Sequence, residues 1–567
     1  MDCQDALDDI DDHINGPMPN FIKRHFSADK TDTISVNDVL DSFGGRAAVP
    51  RAGSLARWFV DFACTSRPGS RGSWRVSTAE DEPTEGEAKS ERIHVDFRFL
   101  NGSSDAASQD DVQVIGLVCP GGVNYRDGLL ALCSSAQDAF LHQPTRLFLH
   151  GFYVRGSLAE LWVFDRSGLY CSEMVDTRVN AQLFVSFLLQ YERMSDEELG
   201  ISSIFLLDEH GPHIILDSED STSAQLYLDR DPIDRRRGIV GSATTCYRAR
   251  LSGSDRWTHA VKIKWHWARE RPENELLELA MEKEAWGAVK LHRYSEHDST
   301  ANLRRGMRWG PQRGFLPNTT PQSGDEKFGV AHWTEETNHS FQNRTLICVV
   351  TSPLGRPLST FETGLELLQA LRDAIKCHRS LYVDARSLHG DISAGNIILV
   401  GGACGEQPKG ILIDLDSTIL RDEEPEDDGS IVGTRVYMAV GVLQGEAHTY
   451  RHDLESFFYV LLRAILVGRT ETLPPDSRLR QWSEGRDWAQ LARRKGSDME
   501  EDGFAHILDE FPPVFGRFRT LAERLHSVLF PVRDGKLWTG TDETEEGMEA
   551  LYGAMIAAFD APIATEQ

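Results

Sequence analysis

Apolar side chains near the amino terminus recur at helical spacing and then become scarce. Residues 1–66 begin with polar residues and later carry Val39, Leu40 and Phe43, a spacing that predicts a mostly helical N-terminal segment. Residues 67–92 are rich in Ser, Arg, Glu, Pro and Gly. Because such a composition buries too little surface to offset the entropy of ordering the chain, we predict a linker or disordered loop there.

Short apolar runs separated by polar turns follow in residues 93–225. The runs at 112–118, 146–154 and 158–164 have the length of strands, and helix candidates lie between and after them. Strands at this spacing favour an antiparallel meander with helices on one face. We therefore predict an accessory domain that contains both helices and strands, and we find no catalytic constellation in it.

Composition and charge exclude several classes of protein. The chain has 567 residues, of which 40% are hydrophobic and 26% charged, values that exclude wholesale disorder. Its formal net charge is −28. An acidic chain repels a phosphate backbone, so we expect no nucleic-acid partner. Nine cysteines without a C-x-x-C pair argue against a zinc ribbon or a disulfide framework and fit a reducing compartment.

The chain also offers no obvious route into a membrane or an organelle. Its longest strongly apolar stretch, residues 457–467, is shorter than a bilayer span and contains Arg463. The acidic start of the sequence has the wrong charge for a secretory or mitochondrial leader. We therefore expect an intracellular protein, cytoplasmic or nuclear, without a membrane partner.

The segment with the clearest chemistry contains Asp391 and Asn396. A helical stripe of apolar residues at 365–381 precedes it, and the apolar run 397–400 follows it as a strand. The two polar residues thus lie on one turn between a helix and a strand. This pairing suits phosphoryl transfer, in which a carboxylate orients and deprotonates the accepting hydroxyl while an amide oxygen holds magnesium.

A second carboxylate follows on a strand with a buried pattern. Asp414 comes directly after the apolar residues 411–413. A carboxylate in such a strand is costly to bury unless it meets a cation. Together with Asn396 and Asp391, Asp414 therefore predicts a hard-cation site whose metal bridges phosphate oxygens.

Groups that would bind phosphate lie upstream. Lys262 follows two apolar residues on a predicted strand, where its ammonium could neutralise phosphate oxygens if a carboxylate held it. Of the candidates Glu273 and Glu275, Glu273 has the better helical spacing to point inward. A turn before the lysine strand could cover phosphates with its backbone N–H groups; it consists of Gly241, Ser242 and Ala243.

In this order, the features resemble a eukaryotic-type protein kinase domain, and more narrowly the fungal-type protein kinase family. The resemblance extends over residues 237–530, and residues 162–168 resemble the accessory segment of that family. The matching stretches are 388–399, 411–416, 433–439 and 448–459.

The resemblance implies an α+β, two-lobed protein-kinase-like fold preceded by an α/β accessory domain. The N-lobe would cover residues 230–350 and the C-lobe residues 351–560. It also implies an ATP-dependent enzyme with Mg²⁺ that transfers the γ-phosphoryl group to Ser or Thr hydroxyls of protein substrates. The net charge of −28 would favour encounters with basic substrates.

The resemblance assigns a role to each site residue. Lys262 would contact the α- and β-phosphates of ATP and pair with Glu273. Asp391 would be the catalytic base. Val350, in the hinge, would meet the adenine. Magnesium would be held by Asn396 and Asp414, and Asp453 would brace the backbone of the catalytic loop.

Several positions depart from the kinase pattern. Gly390 stands where most protein kinases have Arg, and Ser393 stands in place of the catalytic-loop Lys. Asp416 and Ala243 each replace a glycine, and Gly441 replaces a structural Glu. The base and the metal ligands are retained, so slow or specialised catalysis is the expectation.

Two alternatives to a protein kinase remain open. The residues around Asp391 also resemble those of small-molecule phosphotransferases such as aminoglycoside and choline kinases. Against this stands the segment 433–439, which resembles a platform for a peptide substrate. The other alternative is a pseudokinase scaffold, motivated by the altered phosphate turn and Gly390. Retention of the lysine, the base and the metal ligands argues against it.

Overall fold

The structure is a computed structural model. It describes residues 10, 13–26, 36, 55–65, 67, 69–79, 92–99, 109–216, 224–307, 312–313, 341–401, 407–421, 432–468, 472–485 and 487–566. The chain divides into two compact units. Unit 1 consists of Met1–Asp255, Val261–Arg269 and Ser295–Cys348, and unit 2 of Arg256–Ala260, Glu270–Tyr294 and Val349–Gln567.

The strands in the described residues are β1 (Ile14–Asn15), β2 (Gly72–Ala79), β3 (Arg92–Phe99), β4 (Val112–Cys119), β5 (Phe148–Arg155), β6 (Leu158–Asp165), β7 (Gly168–Cys171), β8 (Val175–Asp176), β9 (Leu206–Asp208), β10 (Gly211–Leu216), β11 (Ala224–Leu228), β12 (Asp234–Arg235), β13 (Thr245–Leu251), β14 (His259–Trp267), β15 (Lys290–Ser299), β16 (Gln312–Arg313), β17 (Arg344–Ser352), β18 (Arg356–Pro357), β19 (Ser387–Leu388), β20 (Ile397–Leu399), β21 (Gly410–Leu412), β22 (Ile419–Leu420), β23 (Val532–Arg533) and β24 (Lys536–Leu537).

The α-helices in the described residues are α1 (Phe21–His25), α2 (Leu55–Ala63), α3 (Tyr125–His142), α4 (Ala181–Tyr191), α5 (Asp196–Leu199), α6 (Glu273–Glu282), α7 (Thr300–Leu303), α8 (Gly364–Val383), α9 (Val440–Leu443), α10 (Tyr450–Val467), α11 (Trp488–Met499), α12 (Glu501–Asp509), α13 (Arg519–Leu529) and α14 (Glu545–Glu566). None of them combines the length and the apolar character that a membrane crossing requires.

The larger sheet of unit 1 has the strand order β16-β1-β7-β6-β5-β4-β3-β2, with β8 beside β6. Strands β4 and β5 are parallel, and α3 forms the crossover between them. The prediction of an antiparallel meander is confirmed for β5, β6 and β7, which pair antiparallel in sequence order. It is wrong for β4, and helices cover both faces of the sheet rather than one. Every residue of β4 is buried, because Val114 faces a core that includes Phe184 of α4 whereas Ile115 faces a core that includes Leu132 of α3. Strands covered on both faces have continuous apolar runs.

The prediction of a linker or disordered loop at 67–92 is wrong for residues 72–79. They form β2, which pairs antiparallel with β3 from Gly72↔Phe99 to Ala79↔Arg92. Trp74 anchors this strand, since its side chain is buried and its indole N–H donates to Glu192 Oε1 at 2.8 Å. The side chain of Trp74 thus supplies buried apolar surface that the polar average composition of residues 67–92 does not indicate. Residues 80–91 lie outside the described residues.

The described residues of the N-terminal segment 1–66, predicted to be mostly helical, contribute to the same core as the accessory domain, whereas Val39, Leu40 and Phe43 lie outside the described residues. Phe21 of α1 and Phe59 of α2 are buried in one cluster with Val95 of β3. The segment also contributes β1, which pairs with β7. These contacts join residues far apart in sequence, so periodicity alone did not reveal them.

The predicted boundary between the accessory domain at 93–225 and the N-lobe at 230–350 falls inside a second sheet of unit 1. In this sheet β9, β10, β11 and β13 are neighbours in that order. Strand β11 crosses the predicted boundary and pairs antiparallel with β13, with Leu226 opposite Leu251. Buried side chains such as Leu226 hold the pairing together, so the two predicted domains are not separate units.

Unit 2 is mainly helical, and α8 and α10 supply many of its buried side chains. Helix α8 begins after Thr363, whose hydroxyl accepts the N–H of Glu366 at 3.1 Å. The predicted helical stripe is confirmed, since Leu368, Leu371 and Ile375 are completely buried. Three-residue strands, β20 and β21, follow α8 and pair antiparallel. This small hairpin supports the candidate site.

Candidate active site

The β20–β21 hairpin brings Asn396 close to the segment that carries Asp414. Asn396 directly precedes β20, and Asp414 follows β21 by two residues. The register pairs Ile397 with Leu412, and Ile413 N–H donates to the carbonyl of Asn396 at 3.0 Å. Two predicted metal ligands thus lie at the same end of one hairpin, as the sequence pattern suggested.

Asp391 lies at the centre of a hydrogen-bond network. Asn396 Nδ2 donates to the backbone carbonyl of Asp391 at 2.9 Å and to Asp391 Oδ2 at 3.2 Å. The N–H of Thr434 donates to Asp391 Oδ1 at 2.7 Å. Both bonds of Asn396 use its amide nitrogen, so its amide oxygen faces away from Asp391 and suits a cation.

The backbone directly before Asp391 is fixed by a buried carboxylate. The N–H of Gly390 donates to Asp453 Oδ2 at 3.1 Å. Asp453 also accepts hydrogen bonds from His378 and His448, each at 2.8 Å. Burial acts to raise the pKa of Asp453, but His448 and His378 outweigh it and hold the pKa well below its usual range. The bracing of the loop that the resemblance implies for Asp453 is therefore present.

His389 is held as a neutral ring. Its Nε2 donates to the carbonyl of Ile413 at 3.2 Å, and its Nδ1 accepts the N–H of Asp391 at 3.3 Å. Burial lowers the pKa of His389. The ring links the segment before Asp391 to the segment before Asp414.

The structure gives a physical reason for Gly390, where most kinases have Arg. Its φ of +80° lies in the left-handed region. A Cβ atom at this position would lie 2.4 Å from the backbone carbonyl oxygen of Ser417. Because that neighbour is backbone, it cannot move aside as a flexible side chain could. The loop in this conformation excludes any residue with a side chain.

Three carboxylates converge in unit 2. Oxygen atoms of Glu273, Asp414 and Asp416 all lie within 4.8 Å of one another. Glu273 is 3% exposed, and Asp414 has a φ of +67°, a conformation that costs energy for a residue other than glycine. An all-oxygen donor set fits magnesium. Asp416, which the sequence marked only as a departure, therefore joins the candidate ligands.

The predicted phosphate-binding residues lie in unit 1. Lys262 is half-buried on β14 between Val261 and Ile263, which are fully buried. Its predicted partner Glu273 belongs to unit 2, so the Lys262–Glu273 pair stays a prediction. Val350, predicted to meet the adenine, is fully buried on β17.

The turn before the lysine strand has the backbone of a glycine loop. Gly241 has a φ of +110°, and Ala243 keeps a φ of +44° although it is not glycine. The carbonyl of Ser242 accepts the N–H of Trp265 at 2.7 Å, which ties the turn to β14. Ala243 thus adopts the conformation that the family's glycine would adopt without strain.

Residues that sequence reasoning missed hold the end of the segment 433–439. A Cβ atom at Gly441 would lie 2.5 Å from Nε2 of the buried His452, so a glutamate does not fit there unless that ring moves. Glu455 of α10 instead accepts the N–H of Val440 at 2.7 Å and pairs with Arg451 at 2.6 Å. The missing structural Glu is thus replaced by a carboxylate from another helix.

Lys495 is the second group that the sequence did not reveal. It is completely buried, and its ammonium donates to the carbonyls of Val436 and Met438 at 2.9 and 2.6 Å. The ammonium lies 4.2 Å from the ring centre of Tyr459 and 4.7 Å from that of Trp482. A lysine on an amphipathic helix looks solvated in sequence, so no local signal marks this role.

Comparison with known families shows the family to which the chain belongs. The sequence profile of the family described as fungal protein kinase matches residues 94–465. The chain therefore belongs to the fungal protein kinase family, a family of phosphotransferases. The resemblance noted from the sequence is confirmed, as is the α+β, two-lobed protein-kinase-like fold. No curated protein matches the chain.

Proposed function

We propose that the protein is an ATP-dependent protein kinase that phosphorylates Ser or Thr hydroxyls of protein substrates. The observation that carries this proposal is the 2.7 Å hydrogen bond from Thr434 N–H to Asp391 Oδ1. It fixes the segment 433–439, which resembles a peptide platform, directly beside the candidate base. A protein chain presented on that segment would have its hydroxyl close to Asp391.

In the proposed reaction, the substrate hydroxyl oxygen forms a bond to the γ-phosphorus of ATP while the bond to the β–γ bridging oxygen breaks. Asp391 accepts the hydroxyl proton, and its bonds from Asn396 and Thr434 keep the carboxylate in one orientation. ADP leaves with the electron pair of the broken bond. Fixed groups of this kind accelerate phosphoryl transfer by positioning.

The remaining residues have supporting roles in this proposal. Lys262 would neutralise α- and β-phosphate oxygens, and the turn of Gly241, Ser242 and Ala243 would cover the phosphates with the backbone N–H groups of Ser242 and Ala243. Asn396 and Asp414 would hold magnesium, with Asp416 as a further oxygen donor. Bound there, the metal would neutralise charge on the phosphate oxygens. The hinge around Val350 would receive the adenine.

A small-molecule phosphotransferase is the second candidate. Its support is the H-x-D-x₄-N pattern, which this class shares. The bond between Thr434 and Asp391 favours a protein substrate over it. The scaffold alternative is disfavoured by the bonded pair of Asp391 and Asn396 and by the adjacent carboxylates, since a scaffold has no chemical need for them.

The test is label transfer from γ-labelled ATP with magnesium to a mixture of basic proteins. Asp391→Ala and Lys262→Ala should each abolish the transfer. Asp476→Ala and Lys536→Ala, at exposed positions, are the matched controls and should retain it. Phosphoamino-acid analysis of the product should give phosphoserine or phosphothreonine.

The possible outcomes separate the candidates. Transfer to a small hydroxylated compound but to no protein would replace this proposal with the second candidate. Stabilisation by ATP without any transfer would favour the scaffold. Neither transfer nor stabilisation would exclude an ATP-dependent enzyme. Transfer that weakens with added salt for basic proteins only would support electrostatic recognition of basic substrates.

A further inference from the structure

The hairpin turn between β6 and β7 contacts residues 238–243 of unit 1, the glycine turn, which ends with Gly241, Ser242 and Ala243. The guanidinium of Arg166 donates through Nη1 to the carbonyl of Gly238 at 2.8 Å and to that of Ile239 at 3.4 Å. In return, the N–H of Gly241 donates to the carbonyl of Arg166 at 3.1 Å. Contacts thus run in both directions between the accessory sheet and the glycine turn, and one of them reaches Gly241 of the predicted phosphate-covering residues.

Burying the guanidinium of Arg166 costs free energy unless it makes these hydrogen bonds. Its side chain is 1% exposed and lies over the ring of Phe140, 4.1 Å from the ring centre. A buried guanidinium needs acceptors for its donors. Two successive carbonyls of the glycine turn are among its acceptors, so the orientation of the turn and the burial of the arginine depend on each other.

The side chain of Ile239 also fixes the glycine turn. Ile239 is completely buried and packs in the cluster that contains Trp162, Phe164 and Leu169 of the accessory sheet. The turn is therefore fixed through both its backbone and its side chain. Glycine turns anchored in this way lose conformational freedom before any ligand binds.

Buried contacts also hold the other residues of the hairpin turn, and the carboxylate of Asp165 pairs with Arg304. Asp165 pairs with Arg304 through two bonds of 2.5 and 2.6 Å, with both side chains buried. The hydroxyl of Ser167 donates to Thr300 Oγ1 at 2.8 Å. Because Asp165 is held by Arg304, the neighbouring Arg166 is directed to the carbonyls of the glycine turn.

We propose that Arg166 is a positioning residue for the nucleotide phosphates. It holds residues 238–243 in one conformation through its contacts with Gly238, Ile239 and Gly241, so that the backbone N–H groups of Ser242 and Ala243 are pre-organised before ATP binds. This inference rests on the proposed function of that turn. It assigns to the accessory sheet a part in nucleotide binding that no motif in the sequence indicates.

The test compares Arg166→Met with Arg178→Met in the full-length chain. Arg178 belongs to the same sheet region but its side chain is 61% exposed, so its replacement should change nothing. For Arg166→Met we expect the KM for ATP to rise at least tenfold, with kcat at saturating ATP and the KM for the protein substrate within twofold. A merely structural role would instead lower the active fraction and hence kcat.

Amide hydrogen exchange supplies a readout that needs no nucleotide. Exchange at residues 238–243, and at Gly241 above all, should be at least tenfold faster in Arg166→Met than in the wild type. If Arg166→Met does not fold, Arg166→Lys replaces it, because a single ammonium cannot reproduce the guanidinium fork. It should show the same changes to a smaller extent.

The outcomes distinguish this inference from the proposed function. A wild-type protein that does not bind MgATP would overturn both. A wild type that binds MgATP, together with unchanged exchange or an unchanged KM for ATP in Arg166→Met, would overturn only the role of Arg166. Faster exchange with a selective rise in the KM for ATP would support it.

Discussion

The backbone N–H of Gly390 donates to Oδ2 of Asp453 at 3.1 Å. This bond connects the loop that carries Asp391 to helix α10. The chain of contacts extends further, because His378 of α8 donates to the same oxygen and the hydroxyl of Tyr552 on α14 lies 2.8 Å from His378 Nδ1. Three helices of unit 2 therefore determine the position of one backbone N–H beside the candidate base.

Asp453→Asn should disrupt this arrangement. The substitution leaves one oxygen where His378, His448 and Gly390 need two acceptors, and it removes the negative charge that faces the histidines. Breaking a buried charged network from one side costs about 3–5 kcal/mol. We expect that loss in the free energy of unfolding from urea titration, with label transfer reduced at least tenfold in the protein that remains folded.

The exposed residue Asp476 provides the control. Asp476→Asn makes the same chemical change in unit 2 and should leave both stability and activity within experimental error of the wild type. Equal unfolding curves for Asp453→Asn and Asp476→Asn would show that the network does not stabilise the fold.

Gly390→Ala should be more damaging than a second glycine substitution with the same backbone angle. Gly390 has a φ of +80° and Gly445 a φ of +87°. A Cβ at Gly445 meets no described atom within 4 Å, whereas a Cβ at Gly390 would lie 2.4 Å from the Ser417 carbonyl oxygen. Gly445→Ala should therefore cost about 1–2 kcal/mol, the price of a left-handed alanine.

The difference between these two variants measures the steric clash alone. We expect Gly390→Ala to be less stable than Gly445→Ala in urea unfolding and to lose phosphoryl transfer, since Asp391 is the next residue. Gly390→Arg, which restores the common kinase residue, should behave like Gly390→Ala. An active Gly390→Arg protein would contradict the steric explanation.

Local patterns made much of unit 2 predictable from sequence. The stripe of α8, the loop with Asp391 and Asn396, and the β20–β21 hairpin arise from short-range periodicity and adjacent turns. A hairpin joins residues that are close in sequence, so the approach of Asn396 to Asp414 could be anticipated. The convergence of Asp416 could not, because a kinase pattern has glycine at that position.

Long-range pairings were not predictable in the same way. Strand β2 depends on Trp74 reaching Glu192, and β11 depends on a register with β13 that local composition does not encode. The burial of charged side chains could not be predicted from the sequence either. Arg166 and Lys495 are buried charged side chains, whereas charged residues are usually solvated, and only tertiary contacts reveal such exceptions.

Lys495→Met should loosen the segment 433–439. Methionine keeps the apolar stem but leaves the carbonyls of Val436 and Met438 without the donor that they now share. An unsatisfied buried acceptor costs about 1–3 kcal/mol. We expect a lower melting temperature and a higher KM for the protein substrate, with the KM for ATP unchanged.

Lys536→Met, at an exposed position of β24, is the control for loss of a lysine charge. It should leave melting temperature and both KM values unchanged. If Lys495→Met also left the KM for the protein substrate unchanged, the segment would owe its position to other contacts, such as the bond from Val440 to Glu455.

Stability should fall in mild acid because of buried histidines, of which His150 is the most clearly defined. Burial lowers the pKa of His150 to about 4, and nearby Arg146 acts in the same direction. The unfolded chain has the ordinary pKa of 6.5 and binds the proton first. Between pH 6.5 and pH 4 the unfolded state therefore holds more protons than the folded state, so stability decreases as pH falls, by about 3 kcal/mol at pH 4.

His150→Gln tests this sign and size. The glutamine amide can still donate to the Glu198 carbonyl, which His150 Nε2 contacts at 3.0 Å, but it does not titrate. The variant should lose stability at pH 7, and its deficit relative to the wild type should shrink by about 3 kcal/mol at pH 4. His142→Gln, at an exposed position, should leave the pH dependence of urea unfolding unchanged. A deficit for His150→Gln that is constant from pH 7 to pH 4 would mean that His150 is already accessible to protons in the folded protein.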